Sequence, residues 1–354
     1  MRDSLAHVLQ PALIVVLTLL CLGLPAQSPG AAIAAEAQRQ FQQGRFDLAL
    51  EAWRKSYELE PRNETAYWMA IAAIQMGQVA DAERWLLQAV TDPNARGAWF
   101  QALGKCQLDL GRPLAARESL GRAISIGPRT DPNFAVWYCN RALCSLEAGE
   151  IKASIPDLEE AVKLKPDYAQ AWYQLGQARA DTGDNTGALR ALETTLSLDA
   201  TNIEARFLLG RCQLSSGAVE ASIGNFNTVL QNISGHVGAL WNLSQALQKL
   251  KRKEEAKKVL ERFKTMSALT ERIEYTETAV KINPGNAPLK NELVLLLLQA
   301  GRARDAMKHL DELRRTAPSS TVYMNMAKAL RMMGARAEAD QAEAMAARLL
   351  REGH

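Results

Sequence analysis

Histidines, cysteines and paired carboxylates are the residues through which this chain can do chemistry, and they are few and scattered. Outside the first 26 residues the histidines are His236, His309 and the terminal His354. Cys106, Cys139, Cys144 and Cys212 make no CxxC pair and have no histidine close in sequence, so no zinc-type ligand spacing arises. Glu159-Glu160 and Glu254-Glu255 are adjacent pairs, and adjacent residues on a helix point to different faces. They form no acid–base dyad. HExxH, GxxxxGK[ST], GxSxG and a GxGxxG after a strand are all missing. Neither enzymatic activity nor a cofactor or metal is expected.

The order in this sequence lies in its repetition. A glycine recurs about every 34 residues, at Gly44, Gly77, Gly111, Gly149, Gly183 and Gly217; Lys251 takes the next place, followed by Gly301 and Gly334. Five residues later lies a small residue, as at Ala49, Ala116 and Ala188. Seven residues earlier lies another mostly small one, as at Ala37, Gly104 and Gly176. A proline often closes the period, as at Pro61, Pro93, Pro128, Pro166 and Pro318. A period of this length marks one supersecondary unit stacked many times. Each period holds two stretches with apolar residues at helical spacing, such as 98–110 and 113–126. The glycine between them suits the left-handed residue that ends a helix, and the later proline cannot continue one. Each period therefore reads helix, tight turn, helix, stop. The small residues let the two helices approach closely where they cross.

These positions resemble the tetratricopeptide repeat family. Trp172, Leu175, Gly176, Gly183, Ala188 and Leu192 fall on its signature slots, and so do Leu103, Gly104, Gly111, Ala116, Leu120, Ala123 and Pro128. About nine such units fit between residues 31 and 350. The resemblance implies an all-α fold, a right-handed superhelical solenoid of about nine helix-turn-helix repeats. Such a solenoid binds and seldom catalyses. Its quasi-one-dimensional build implies no internal domain boundary.

Departures from the pattern carry information. Ala200 and Ser234 replace the closing proline in repeats 5 and 6, and Lys251 stands where a turn glycine belongs. Four extra residues, 129–132, lengthen the link before repeat 4. An extra helical insertion is expected around 264–284, because 254–282 lacks glycine and proline yet keeps a helical rhythm. Two forms stay open for it: an added hairpin or bent helix, or a single protruding helix that docks a partner or a second copy. The last helix, 335–351, is rich in Ala, Glu, Arg and Asp and suits a terminal cap.

The formal net charge of +3 is too mild for a nucleic-acid protein, and the basic run Lys249 to Lys253 is met at once by Glu254-Glu255. It reads as a solvated turn. Residues 1–26 have the layout of a secretory signal peptide: Arg2, an apolar run from Ala12 to Leu24, then Pro25-Ala26. Export, to a bacterial periplasm, is the expectation; an uncleaved N-terminal membrane anchor is the alternative. Cys106, Cys144 and Cys212 share one slot of the first helix, in repeats 3, 4 and 6. Equivalent slots lie about 8–10 Å apart, too far for disulfides, so they read as small buried hydrophobes.

The family resemblance assigns ligand contact to two slots of the first helix, four residues apart. The first slot holds Tyr67, Gln101, Cys139, Tyr173, Phe207, Trp241, Asn291 and Met324. The second holds Ile71, Lys105, Leu143, Gln177, Arg211, Gln245, Leu295 and Lys328. The site residues expected for binding are Tyr173, Gln177, Phe207, Arg211, Trp241, Gln245, Tyr67 and Lys105. Aromatic anchors beside arginine are what binding hot spots favour, and amide side chains can pair with an extended backbone. Trp137 and Trp172 are expected in the core instead. The family's clamp for C-terminal carboxylates is incomplete here, with Asn140, Asn242 and Lys105 only. The expected partner is a polypeptide held in the groove of a cell-envelope or secretion scaffold. Alternatives are a glycan or peptidoglycan strand, or a membrane-tethered hub; no nucleic-acid partner is expected.

Overall fold

The computed structural model describes residues 28–352. The expected signal or anchor segment, 1–26, lies outside the described residues, as does His354. Among the described residues there are eighteen helices and no strand. They pair into nine hairpins, divided between two compact units, Met1–Ala200 and Thr201–His354.

The first unit holds five hairpins: α1 (Pro29–Gln42) with α2 (Phe46–Leu59), α3 (Asn63–Gln75) with α4 (Val79–Ala89), α5 (Gly97–Asp109) with α6 (Pro113–Ile126), α7 (Phe134–Glu147) with α8 (Ile151–Leu164), and α9 (Ala169–Asp181) with α10 (Asn185–Leu198). The second holds four: α11 (Ile203–Ser215) with α12 (Val219–Asn232), α13 (Val237–Lys249) with α14 (Lys253–Ile282), α15 (Ala287–Gln299) with α16 (Ala303–Thr316), and α17 (Ser320–Met332) with α18 (Arg336–Glu352).

Every hairpin turns in the same way. The turn residue is left-handed, with φ between 70° and 88° at the eight glycines and 61° at Lys251. The next N–H then reaches the carbonyl five residues back, as from Arg112 to Gln107 at 2.8 Å and from Arg252 to Leu247 at 2.9 Å. This bond closes the first helix and starts the second within three residues.

The crossings require the small residues. A Cβ on Gly104 would lie 2.6 Å from Leu120 Cγ, and one on Gly176 would lie 2.7 Å from Leu192 Cγ. Trp137 is buried as expected, in a slot that two glycines leave open: a Cβ on Gly127 would approach its ring to 2.1 Å and one on Gly97 to 2.9 Å. Trp172 departs from expectation. It is half-buried at the edge of its cluster, and its indole N–H donates to the Pro166 carbonyl at 2.8 Å. The indole needs a polar partner, and the closing linker supplies one at the rim. All four described cysteines are buried and unbonded to one another.

In α2, α8 and α12 the hairpin meets the next one along a second stripe of the second helix, two, six and thirteen residues after the turn. Phe46, Leu50 and Tyr57 hold these places in α2, Ile151, Ile155 and Val162 in α8, and Val219, Ile223 and Leu230 in α12; each set packs with the first helix of the following hairpin. In α14 the same places are Lys253, Lys257 and Lys264, all exposed. The next hairpin does not stack there. The sixteen additional residues continue α14 as one helix of 30 residues, about 45 Å long. Its first half packs on α13 through Ala256, Val259 and Phe263. Its second half packs on α15 through Leu269, Ile273 and Val280. Met266 touches both clusters. A Cβ on Gly235, just before α13, would meet Met266 Cε at 2.5 Å and the Ala300 carbonyl, just after α15, at 3.7 Å. The two first helices thus meet end to end along one shared helix.

Candidate functional site

The two slots of the first helices are fixed by the crossing residue between them, because one lies three residues before it and the other one residue after. Burial then sorts the slots into side chains that serve the core and side chains that face out.

In the first unit two of the four first-slot residues, Tyr67 and Cys139, serve the core. Tyr67 is half-buried, stacked on Trp99 at 5.4 Å with Trp68 edge-on at 5.3 Å. Burial pushes its phenol up to about 12. Its partners make it part of the aromatic cluster around Trp53 and Trp68, so it supports the face without offering a free ring. Ile71 is buried. Cys139 is 1% exposed and its thiol donates to Gln174 Oε1 at 3.1 Å. Burial pushes that thiol up to about 11. Lys105, Gln101 and Leu143 are half-buried. Tyr173 is half-buried, and Gln177, one turn on, is exposed.

The second unit opens further. Phe207 is half-buried between His236 at 4.6 Å and Phe226 at 6.2 Å, and the Arg211 guanidinium lies 5.9 Å over its ring. Gly238 makes room for it, since a Cβ there would lie 2.8 Å from Phe207 Cζ. His236 accepts the Ala239 N–H through Nδ1 at 3.0 Å, capping α13 and holding its ring against Phe207. Trp241 is 43% exposed and rests on Phe263 of α14 at 5.1 Å. Gln245 is half-buried beside it on the same face of α13, and Arg211 is exposed on α11. Asn242 is committed elsewhere, donating to the Gly238 carbonyl at 2.8 Å.

The three aromatics are therefore unequal. Trp241 presents its ring, whereas Tyr173 and Phe207 present only parts of theirs. Leu295 and Met324, about half exposed, are apolar residues of the same slots. Tyr275 and Ile282 on α14, 79% and 80% exposed, were hidden from sequence reading because their spacing alone does not say which face a neighbour covers.

The arrangement suits binding by stacking, apolar contact and amide or guanidinium hydrogen bonds. No group of His, Cys, Asp or Glu able to hold a metal ion occurs among the described residues. No helix among them is long and apolar enough to cross a membrane.

Tetratricopeptide repeat models match residues 34–98, 173–237 and 237–268, and a TPR repeat model matches 146–183. These matches reach just over half of the chain. Tetratricopeptide repeat protein 37 of Xenopus laevis is 25% identical over 186 residues, 51% of this chain and 12% of that protein. Bacteriophage adsorption protein A of Escherichia coli K12 is 29% identical over 159 residues, 45% of this chain and 16% of that protein. The Hsp70-Hsp90 organizing protein of Triticum aestivum is 31% identical over 102 residues, 29% of this chain and 17% of that protein. The chain thus spans less than a fifth of each of these relatives. Among solved structures, pilF of Pseudomonas aeruginosa superposes with a TM-score of 0.51 at 13% identity, covering 59% of this chain and 94% of its own. At that identity the likeness shows the fold alone.

Proposed function

We propose, from the premise that this chain belongs to the tetratricopeptide repeat family, that it is an exported, non-catalytic scaffold holding a polypeptide partner on the faces of its first helices. The observation that carries the reading is Trp241, an exposed tryptophan fixed from below by Phe263 and flanked by Gln245. A large ring held in place binds without losing much conformational freedom, and the amide beside it can answer a peptide backbone. Within the second unit Arg211 of α11 adds a guanidinium, and the first unit separately exposes the Gln177 amide on α9. Amides and a guanidinium suit a peptide better than a glycan, for which carboxylates beside open tryptophans are the usual lining. The Hsp70-Hsp90 organizing protein, a relative by sequence, lends support to a protein partner. The reading of residues 1–26 as a signal segment supports export to a bacterial periplasm.

The test is capture from a crosslinked cell-envelope extract. Wild type is compared with the triple variant Gln177→Ala, Arg211→Ala, Trp241→Ala, which spares the half-buried Phe207 and Tyr173. A defined set of proteins retained by wild type and lost from the variant supports the reading. Enrichment of glycan in place of protein, or capture unchanged by the three substitutions, contradicts it.

A further inference from the structure

The long helix α14 leaves one face unpaired along its whole length. Lys257, Lys264, Ala268, Glu271, Tyr275 and Ile282 are all exposed, and successive members are seven, four, three, four and seven residues apart. That spacing puts them on one stripe, the seam of a helix that pairs with another helix. From 257 to 282 it runs about 38 Å.

The stripe changes character along its length. Residues 253–264 of the helix carry Lys253, Lys257, Lys258, Arg262 and Lys264 against Glu254, Glu255 and Glu261, a net +2. Residues 265–282 carry Arg272 and Lys281 against Glu271, Glu274 and Glu277, a net −1. The apolar residues, Tyr275 and Ile282, sit at the acidic end. The basic end is the lysine stripe that stands where α2, α8 and α12 carry stacking residues.

We propose that α14 pairs antiparallel with α14 of a second copy of this chain, about a two-fold axis between Ser267 and Ala268. In that register Lys264 faces Glu271 of the second copy, and the reverse contact forms by symmetry. Tyr275 enters between the stems of Lys257 and Lys264, where the ring meets both methylenes and ammonium groups. Ile282 lies against Lys253 and Lys257. The antiparallel arrangement also sets the positive end of each helix dipole beside the negative end of the other. A foreign partner requires only one half of this stripe; the pairing of a basic half with an acidic and aromatic half on one helix is what a two-fold contact requires.

The experiment measures molecular mass by sedimentation equilibrium for the full chain and three variants: Lys264→Glu, Glu271→Lys, and the two together. Wild type is expected to dimerise, each single variant to weaken the dimer about tenfold or more, and the double variant to recover it. Oxidation of Ala268→Cys and Thr278→Cys variants gives a second readout, scored against wild type. Position 268 lies beside its own copy at the axis, whereas the two copies of position 278 are about 31 Å apart along the helices. A covalent dimer is expected from Ala268→Cys alone. A wild type that stays monomeric at about 100 μM overturns the proposal. So does a dimer indifferent to the charge changes, a double variant that fails to recover, or crosslinking at both positions.

Discussion

Trp137 owes its place to what two other residues lack. Gly97 and Gly127 have no Cβ, and the indole occupies the room this leaves beside α5 and the end of α6. Gly127→Ala puts a methyl 2.1 Å from the ring, a distance that no rotamer adjustment of alanine relieves. We expect it to lower the stability of the first unit by about 1–3 kcal/mol, read as a lower urea midpoint with an unchanged m-value. A midpoint equal to wild type would mean that the ring is free to move aside. The same distinction between what packs and what presents decides the binding residues. Tyr67 stacks on Trp99 and Cys139 bonds Gln174, so both side chains are engaged in packing. Sequence spacing identifies the slot, since period and crossing residue fix the helix face. It does not reveal burial, which depends on the side chain that the neighbouring repeat brings. Trp241 is exposed because Phe263 supports one side of its ring without covering the other.

The hairpin is legible in the sequence because its turn has one solution. A left-handed residue followed by an N–H that reaches five residues back recurs in all nine hairpins, and glycine is the residue that adopts it without strain. Lys251 is the exception, held at φ 61° with its N–H on Gln248 and the next on Leu247. Left-handed geometry costs a residue with a Cβ about 1–2 kcal/mol. Lys251→Gly is therefore expected to stabilise the second unit by about 1 kcal/mol, with a matching rise in its denaturant midpoint; destabilisation would show that the lysine side chain contributes more than its backbone costs. The long helix was legible only in part. Its rhythm of Ala256, Phe263, Ile273 and Val280 predicts a helix over 254–282. The handover from α13 to α15 at Met266 is not visible, since both neighbours demand the same apolar residue types. The signal is the run of three lysines, Lys253, Lys257 and Lys264, at places where α2, α8 and α12 carry apolar stacking residues.

At the scale of the molecule, two compact units each present first-helix faces while their second helices carry the stacking. The family supplies the scaffold and leaves the lining of those faces free to vary, so the lining specifies the partner. Sequence could reach the fold from repetition alone, and could name the slots, but the openness of each slot is a property of packed neighbours. The central claim is that polypeptide partners other than a second copy of this chain bind on the first-helix faces and not on the second helices. Its most direct test is site-specific photo-crosslinking in the envelope, with a photoreactive benzoylphenylalanine at 177 or 241 on first helices and at the exposed 193 or 231 on second helices. The account predicts discrete polypeptide adducts from 177 and 241 and none from 193 and 231. Adducts from the second-helix positions alone, or an equal yield from all four, would contradict it.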